Sequence, residues 1–255
     1  TLVHTVTMST ASATAEDYTF SVADVTATAG ADYNGTPVFS NGVTLAAGII
    51  TVPAGVTSFT VSFPGLLDTL DENNETYTLT VGGIAATGTI NDDDTAGVAT
   101  VSDATETEGT TLVHTVTMST ASATAEDYTF SVADVTATAG ADYNGTPTFS
   151  NGVTLAAGII TVPAGVTSFT VSFPGLLDTL DENNETYTLT VGGIAATGTI
   201  NDDDTATVGS VSDATETEGT TLVHTVTMST ASATAEDYTF SVADVTATAG
   251  ADYNG

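Results

Sequence analysis

Residues 1–35 of this chain recur letter for letter at 111–145 and again at 221–255, a period of 110 residues. The two complete periods, 1–110 and 111–220, differ at only four positions: Val38/Thr148, Gly97/Thr207, Ala99/Gly209 and Thr100/Ser210. A period of this length is not one turn of a solenoid, since about 100 residues is the size of a domain that folds alone. The chain therefore reads as a window on a tandem array of near-identical domains. Near-identity also argues against a separate active site in each unit. The simplest product of such an array is length, with the same small chemistry repeated along it.

Within one period, Val, Thr, Ile, Phe and Tyr occur in short alternating runs broken by Gly, Asn, Asp and Pro, the pattern of β-strands. No helical period is sustained. Seven strands are predicted in the middle unit, over 98–107, 111–118, 128–138, 152–163, 168–173, 186–191 and 195–200. In the second of these Leu112, His114, Val116 and Met118 share one face; in the fifth Phe169, Val171 and Phe173 do. Seven short antiparallel strands in about 100 residues predict an all-β, two-sheet sandwich of immunoglobulin type. The domain frame is then 98–205 for one complete repeat, 1–97 for a repeat without its first strand, and 206–255 for the first three strands of a third. The connecting segments 95–97 and 205–207 are short, which restricts hinge motion between neighbours.

Charge is the second constraint. The chain has no Lys, Arg or Cys against 32 Asp plus Glu and three His, a formal charge of −32. That balance disfavours nucleic acid and anionic lipid as partners and favours cations. No apolar run spans a membrane and no signal peptide is visible, although targeting segments can lie outside a window that opens mid-repeat. Without basic side chains, no carboxylate can form a salt bridge except to His.

Consecutive strands of a sandwich reverse direction, so alternate loops emerge at one pole. Glu108, Asp142, Asp178, Asp181, Glu182, Glu185, Asp202, Asp203 and Asp204, nine of the fourteen acids of a repeat, fall in loops of the same pole. Their counterparts are Asp32, Asp68, Asp71, Glu72, Glu75, Asp92, Asp93 and Asp94 in the first repeat, and Glu218 and Asp252 in the third. Two carboxylates about 5 Å apart repel by roughly 3 kcal/mol at an effective dielectric near 20. Hard divalent cations with six to eight oxygen ligands relieve that repulsion, and Asn183, Asn184, Asn201 and main-chain carbonyls add further oxygens. Flexible loops suit Ca2+ better than Mg2+, and zinc is disfavoured without Cys and with one His per repeat.

Neither an EF-hand loop nor a glycine-rich nonapeptide run is present. The order of four segments does resemble the Calx-beta family: Glu108-Gly109 before the second strand, TATAGADY at 136–143, DENNETY at 181–187 and GTINDDD at 198–204. The chain departs from that family at Val135, where Gly is usual, and carries extra residues around 144–151. The resemblance implies the same ligand set as the pole argument, with two or three Ca2+ ions per complete repeat. It also implies a setting in exchanger regulatory domains or large bacterial surface proteins.

His114, His4 and His224 read as structural residues, and Tyr143 and Tyr187 as packing residues. Glu126 and Asp127 read as a solvated turn that can also reach an ion site in the preceding repeat. The N-x-T triplets at 144–146 and 184–186 match the glycosylation pattern. The function expected is a non-catalytic, extracellular structural and adhesive array, a Ca2+-stiffened stalk or filament. The alternative is a soluble Ca2+-responsive binding or regulatory module. Neighbouring repeats, or identical chains docked head to tail by strand complementation, are the expected partners and would complete the partial repeats at either end of the window.

Overall fold

The computed structural model describes residues 1–254, so Gly255, the last residue of the third expected piece, lies outside the described residues. Every regular element among them is a strand. The residues gather into two compact units: Thr1–Gly97 with Met118–Glu126 and Val162–Thr167, and Val98–Thr117 with Asp127–Thr161 and Ser168–Gly255.

The first repeat contains β1 (Leu2–Thr7), β2 (Glu16–Asp24), β3 (Val38–Phe39), β4 (Thr44–Ala46), β5 (Ile49–Val52), β6 (Ser58–Phe63), β7 (Glu75–Val81) and β8 (Ile84–Ile90). They form a three-stranded sheet in the order β1-β6-β3 and a five-stranded sheet in the order β4-β5-β2-β7-β8. The next strands are β9 (Val98–Val101), β10 (Ala104–Thr107), β11 (Thr111–Met118), β12 (Glu126–Asp134), β13 (Thr148–Phe149), β14 (Thr154–Ala156), β15 (Ile159–Val162), β16 (Ser168–Pro174), β17 (Glu185–Val191) and β18 (Ile194–Asn201), followed by β19 (Val208–Val211) and β20 (Val226–Met228). They form sheets in the orders β13-β16-β11-β9 and β10-β18-β17-β12-β15-β14, with β19 and β20 as a separate pair. Each complete repeat is thus a two-sheet sandwich.

The predicted alternation is realised in β11, where Leu112, His114, Val116 and Met118 are buried and the residues between them are exposed. In β16 Phe169, Val171 and Phe173 are buried opposite them, with His114 in register with Val171. Three predicted boundaries are corrected. The strand expected over 152–163 is a hairpin of β14 and β15, because Ala157 and Gly158 both take positive φ (50° and 79°) and close a two-residue turn. The strand expected over 128–138 ends at Asp134, where the chain turns into a loop. The strand expected over 98–107 breaks at Ser102-Asp103, so β9 joins the β11 sheet and β10 crosses to pair with β18 in parallel.

The crossing is pinned by specific bonds. Ser102 N–H donates to Thr115 C=O (2.9 Å), Thr115 N–H to Ser102 Oγ (2.8 Å) and Thr197 N–H to Asp103 Oδ1 (2.7 Å). His114 Nδ1 lies 2.7 Å from Ser102 C=O, which can only accept, so that nitrogen carries the proton. Nε2 then accepts from the Tyr187 hydroxyl at 2.9 Å. Tyr187 stacks on Tyr143 with ring centroids 4.5 Å apart and meets Phe173 edge-on. Gly198 is opposite Tyr187 in the ladder, and a Cβ there would sit 2.2 Å from the ring; the bare backbone makes room for the tyrosine. His114, expected as a structural residue, is completely buried and links the first strand to the aromatic core.

Near-identical sequence with and without the crossing strand shows what that strand covers. Beside β9 and β10, Ile200 and Ala196 are buried, whereas Ile90 and Ala86 in the first repeat are not, and exposure rises from 38% at Ile194 to 79% at Ile84. In the third copy β19 pairs antiparallel with β20 and His224 Nδ1 again bonds Ser212 C=O (2.7 Å). The strand expected there over the counterpart of β12 is not formed, and Phe240 is 89% exposed. The positions matching β15 and β17, which pair with β12 in the second repeat, fall after residue 255 of the sequence.

Tyr187→Phe leaves the buried His114 Nε2 without a donor, so urea unfolding of the full chain should show its second repeat destabilised by about 1–3 kcal/mol. A loss below a few tenths would mean that the bond contributes nothing net.

Candidate metal centre

The acids of the pole arrive on four segments. The turn after β10 carries Glu108, whose N–H bonds Asn201 C=O at 3.0 Å and thereby sets it beside the tail of β18. The loop after β12 carries Asp142, held because its carboxylate accepts from Thr138 N–H (2.6 Å). That loop is braced by Asp134, whose Oδ1 accepts from the Tyr143 hydroxyl (2.5 Å) and from Ala139 N–H (3.2 Å). The loop between β16 and β17 brings Asp178 and Glu182, β17 opens on Glu185, and the tail of β18 brings Asp202 to Asp204.

Two groups of carboxylates result in the second repeat. Oxygens of Glu108, Asp178 and Asp204 lie within 4.8 Å of one another, as do oxygens of Asp142, Glu182 and Glu185. The first repeat has one such group, Asp32, Glu72 and Glu75, beside a cavity that Asp68, Asp92, Asp93 and Asp94 also line. The position matching Glu108 falls before Thr1 in the sequence. Glu108 Oε2, Asp202 Oδ1 and Asp204 Oδ2 are buried and have no hydrogen-bond partner.

Electrostatics follow from this crowding. Burial, then the charges of Asp178, Asp202 and Asp203, push Glu108 up to about 7. Burial, a hydrogen bond shared with Asp142, and the charges of Asp142, Glu182 and Glu108 push Glu185 up to about 7. Glu75 is pushed to about 7 by burial and by its bond to Asp32. Two carboxylates joined by a hydrogen bond must hold a proton between them, which near neutral pH marks strong mutual repulsion. Three oxygens within 4.8 Å, with further unpartnered carboxylate oxygens beside them, form the donor set of a hard divalent cation. The residues present fit such an ion.

Not every expected ligand joins these groups. Asp181 Oδ2 accepts from Ala206 N–H (2.9 Å). Its main chain is bonded to the following repeat, through Asp181 N–H to Ala231 C=O (3.0 Å) and Ala233 N–H to Asp181 C=O (2.9 Å). Asp71 behaves identically, with Ala96 N–H at 2.9 Å and the same pairing to Ala121 and Ala123. In both repeats this carboxylate bonds a linker amide and stays out of the acid groups. Asp203 contributes charge to Glu108 without entering a close group among the described residues. Glu218 and Asp252 are exposed and enter none among the described residues; the positions matching the acids that face their counterparts fall after residue 255 of the sequence. Asp252 accepts instead from Thr248 N–H (2.8 Å). Glu126 and Asp127 accept hydroxyl bonds from Thr124 (2.8 Å) and Thr161 (2.6 Å).

Asp134, Ser102 and Asp103 are not among the residues expected from the sequence. The spacing of Asp134 and Tyr143, repeated at Asp24 and Tyr33, is the one signal that could have suggested the brace.

No protein-family model and no curated protein matches the chain. Among solved structures it is similar to CBD12 from CALX1.2 (17% identity, 74% of this chain and 72% of that one, TM-score 0.30). It is also similar to the calcium binding domain CBD12 of CALX1.1 (18% identity, 74% and 72%, TM-score 0.29) and to the I9-I11 tandem from titin (10% identity, 80% and 66%, TM-score 0.25). At these scores the similarities decide neither fold nor function.

The raised groups give the metal-free chain an unusual pH profile. Glu75, Glu108 and Glu185 bind protons more tightly folded than unfolded, so their contribution is fully present below the ordinary carboxylate range and is lost as pH rises through about 7. His114, lowered by burial, acts oppositely, and its contribution is lost as pH falls below about 6.5. Melting in chelator should therefore rise from pH 8 to pH 6, with the three glutamates outweighing the histidine. A melting temperature that falls over that interval would contradict the crowding.

Proposed function

We propose that the chain is part of an extracellular structural and adhesive array in which Ca2+ ions, two or three per complete repeat, neutralise the acidic pole and stiffen each repeat and its link to the next. It carries out no catalysis. The observation that carries this reading is the set of buried, unpartnered oxygens on Glu108, Asp202 and Asp204 in a chain without one Lys or Arg. Glu108, Asp178 and Asp204 would hold one ion, with Asp202 beside them; Asp142, Glu182 and Glu185 would hold another. The resemblance of four acidic segments to the Calx-beta family supports Ca2+ as the ion. Near-identical repetition supports a spacer, and the charge of −32 suits a surface that stays in solution.

The stiffening has a route through the chain. Asp181 lies between Asp178 and Glu182, one from each acid group, and its own main chain is bonded to Ala231 and Ala233. Ordering the loop on ions therefore also orders the segment bonded to the following repeat.

Free Ca2+ at about 100 times Kd adds about 2.7 kcal/mol per site, so chelation should lower the melting temperature by ten degrees or more. Glu108→Gln gives an opposed pair of signs. In chelator at pH 8 it relieves repulsion and should stabilise by about 1–2 kcal/mol, allowing for solvent screening. In Ca2+ it removes a ligand and should destabilise. The same sign in both conditions, or no chelator effect on the parent chain, would defeat the ion reading.

Hydrogen exchange reads the link separately. The Ala206 and Ala233 amides should exchange at least tenfold faster in chelator than in Ca2+, by roughly the 1.4 kcal/mol that such a factor represents. Equal rates would mean that the ions do not order the link.

A further inference from the structure

The topology places two strands of one repeat in a relationship that the ion reading does not use. β10 is among the first strands of the repeat and β18 is its last, and they lie side by side in parallel, with Ala104, Thr105, Glu106 and Thr107 in register with Gly198, Thr199, Ile200 and Asn201. The chain enters β10 at its Ala104 end and leaves β18 at its Asn201 end. Tension along the polypeptide therefore draws the two strands in opposite directions along their shared axis. The evenly spaced, slanted bonds of the parallel ladder are then loaded together in shear rather than one after another, as they would be in a hairpin opened from its ends.

The bonds are identifiable. Glu108 N–H donates to Asn201 C=O at 3.0 Å. The alternation of a parallel ladder then sets Glu106 N–H on Thr199 C=O, one step back. Thr197 N–H on Asp103 Oδ1 (2.7 Å) closes the other end of the pair. Ala104 and Ile200, within the paired stretch, are buried and limit competition from water at the ladder. Ahead of it, the bonds at Ser102 and His114 hold the crossing in place. In the first repeat β8 has no strand on its outer edge among the described residues, which supplies a comparison within the same molecule.

We infer that a complete repeat is a load-bearing module whose resistance to stretching resides in the parallel pair β10–β18. This requires no bound ion and so goes beyond the proposed function. Should the melting and exchange experiments fail, the inference stands unaffected.

Single full-length chains stretched by their termini in Ca2+-containing buffer provide the test. The strongest event should release the segment from Ala104 to Asn201 in one step, adding roughly 330 Å at about 3.4 Å per residue. Glu106→Pro removes the ladder N–H and should lower the force of that event by about half. Glu106→Ala keeps the N–H and should leave the force unchanged. Val171→Ala truncates a residue buried in β16, away from the pair; it should lower thermal stability while sparing most of the force. The inference is overturned if Glu106→Pro ruptures at the parent force, or if Val171→Ala weakens the event as much as Glu106→Pro. It is also overturned, on the parent chain alone, if the repeat yields in several shorter steps.

Discussion

Glu108, Asp178 and Asp204, and Asp142, Glu182 and Glu185, gather in two close carboxylate groups of the second repeat, in a chain that has no Lys or Arg to meet them. The fold forces this convergence, because alternate loops of an antiparallel sandwich emerge together. In most proteins Lys and Arg would answer such a cluster, and here Glu108 and Glu185 instead rise to about 7. The acids are also held in place by bonds that cost nothing in charge: Asp142 by Thr138, its loop by the Asp134–Tyr143 pair, and Glu108 by its amide on Asn201. A rigidly supported, uncompensated cluster is the physical premise of the ion reading.

The second organising feature is the route from the first strand into the core. Ser102 C=O at the exposed crossing and the buried His114 and Tyr187 form a short chain of donors and acceptors in which every polar atom named is used. Buried polar groups are costly unless paired, so this chain specifies one position for the crossing between sheets. The crossing sets β10 against β18 and delivers Glu108 to the tail that carries Asp202 and Asp204. The same few residues thus determine the parallel pair and the geometry of one acid group.

Much of this was legible in the sequence. Alternation in β11 and β16 is unambiguous because each has one buried face, and the loop order of a sandwich was enough to gather the acids. The hairpin of β14 and β15 was not legible, since its turn uses Ala157 at positive φ, a conformation that its side chain disfavours. Nor was the crossing at Ser102-Asp103, where no Gly or Pro interrupts the run and hydrogen bonds to Thr115 and Thr197 mark the change of sheet. Asp178 and Asp181 are equivalent by residue type and neighbourhood. Which of them faces the cluster and which caps the linker amide of Ala206 depends on tertiary contacts that a sequence pattern does not encode.

The central claim is that the pole is a Ca2+ site held partly protonated until the ion arrives. Calorimetric titration of the metal-free chain with Ca2+ at pH 7, in two buffers of different ionisation enthalpy, measures binding and proton release together. The account predicts saturable binding, with heats that differ between the buffers because Glu75, Glu108 and Glu185 give up protons to the solvent. Absence of binding would contradict it outright, and binding with identical heats in both buffers would show that these carboxyls are not where the ion goes.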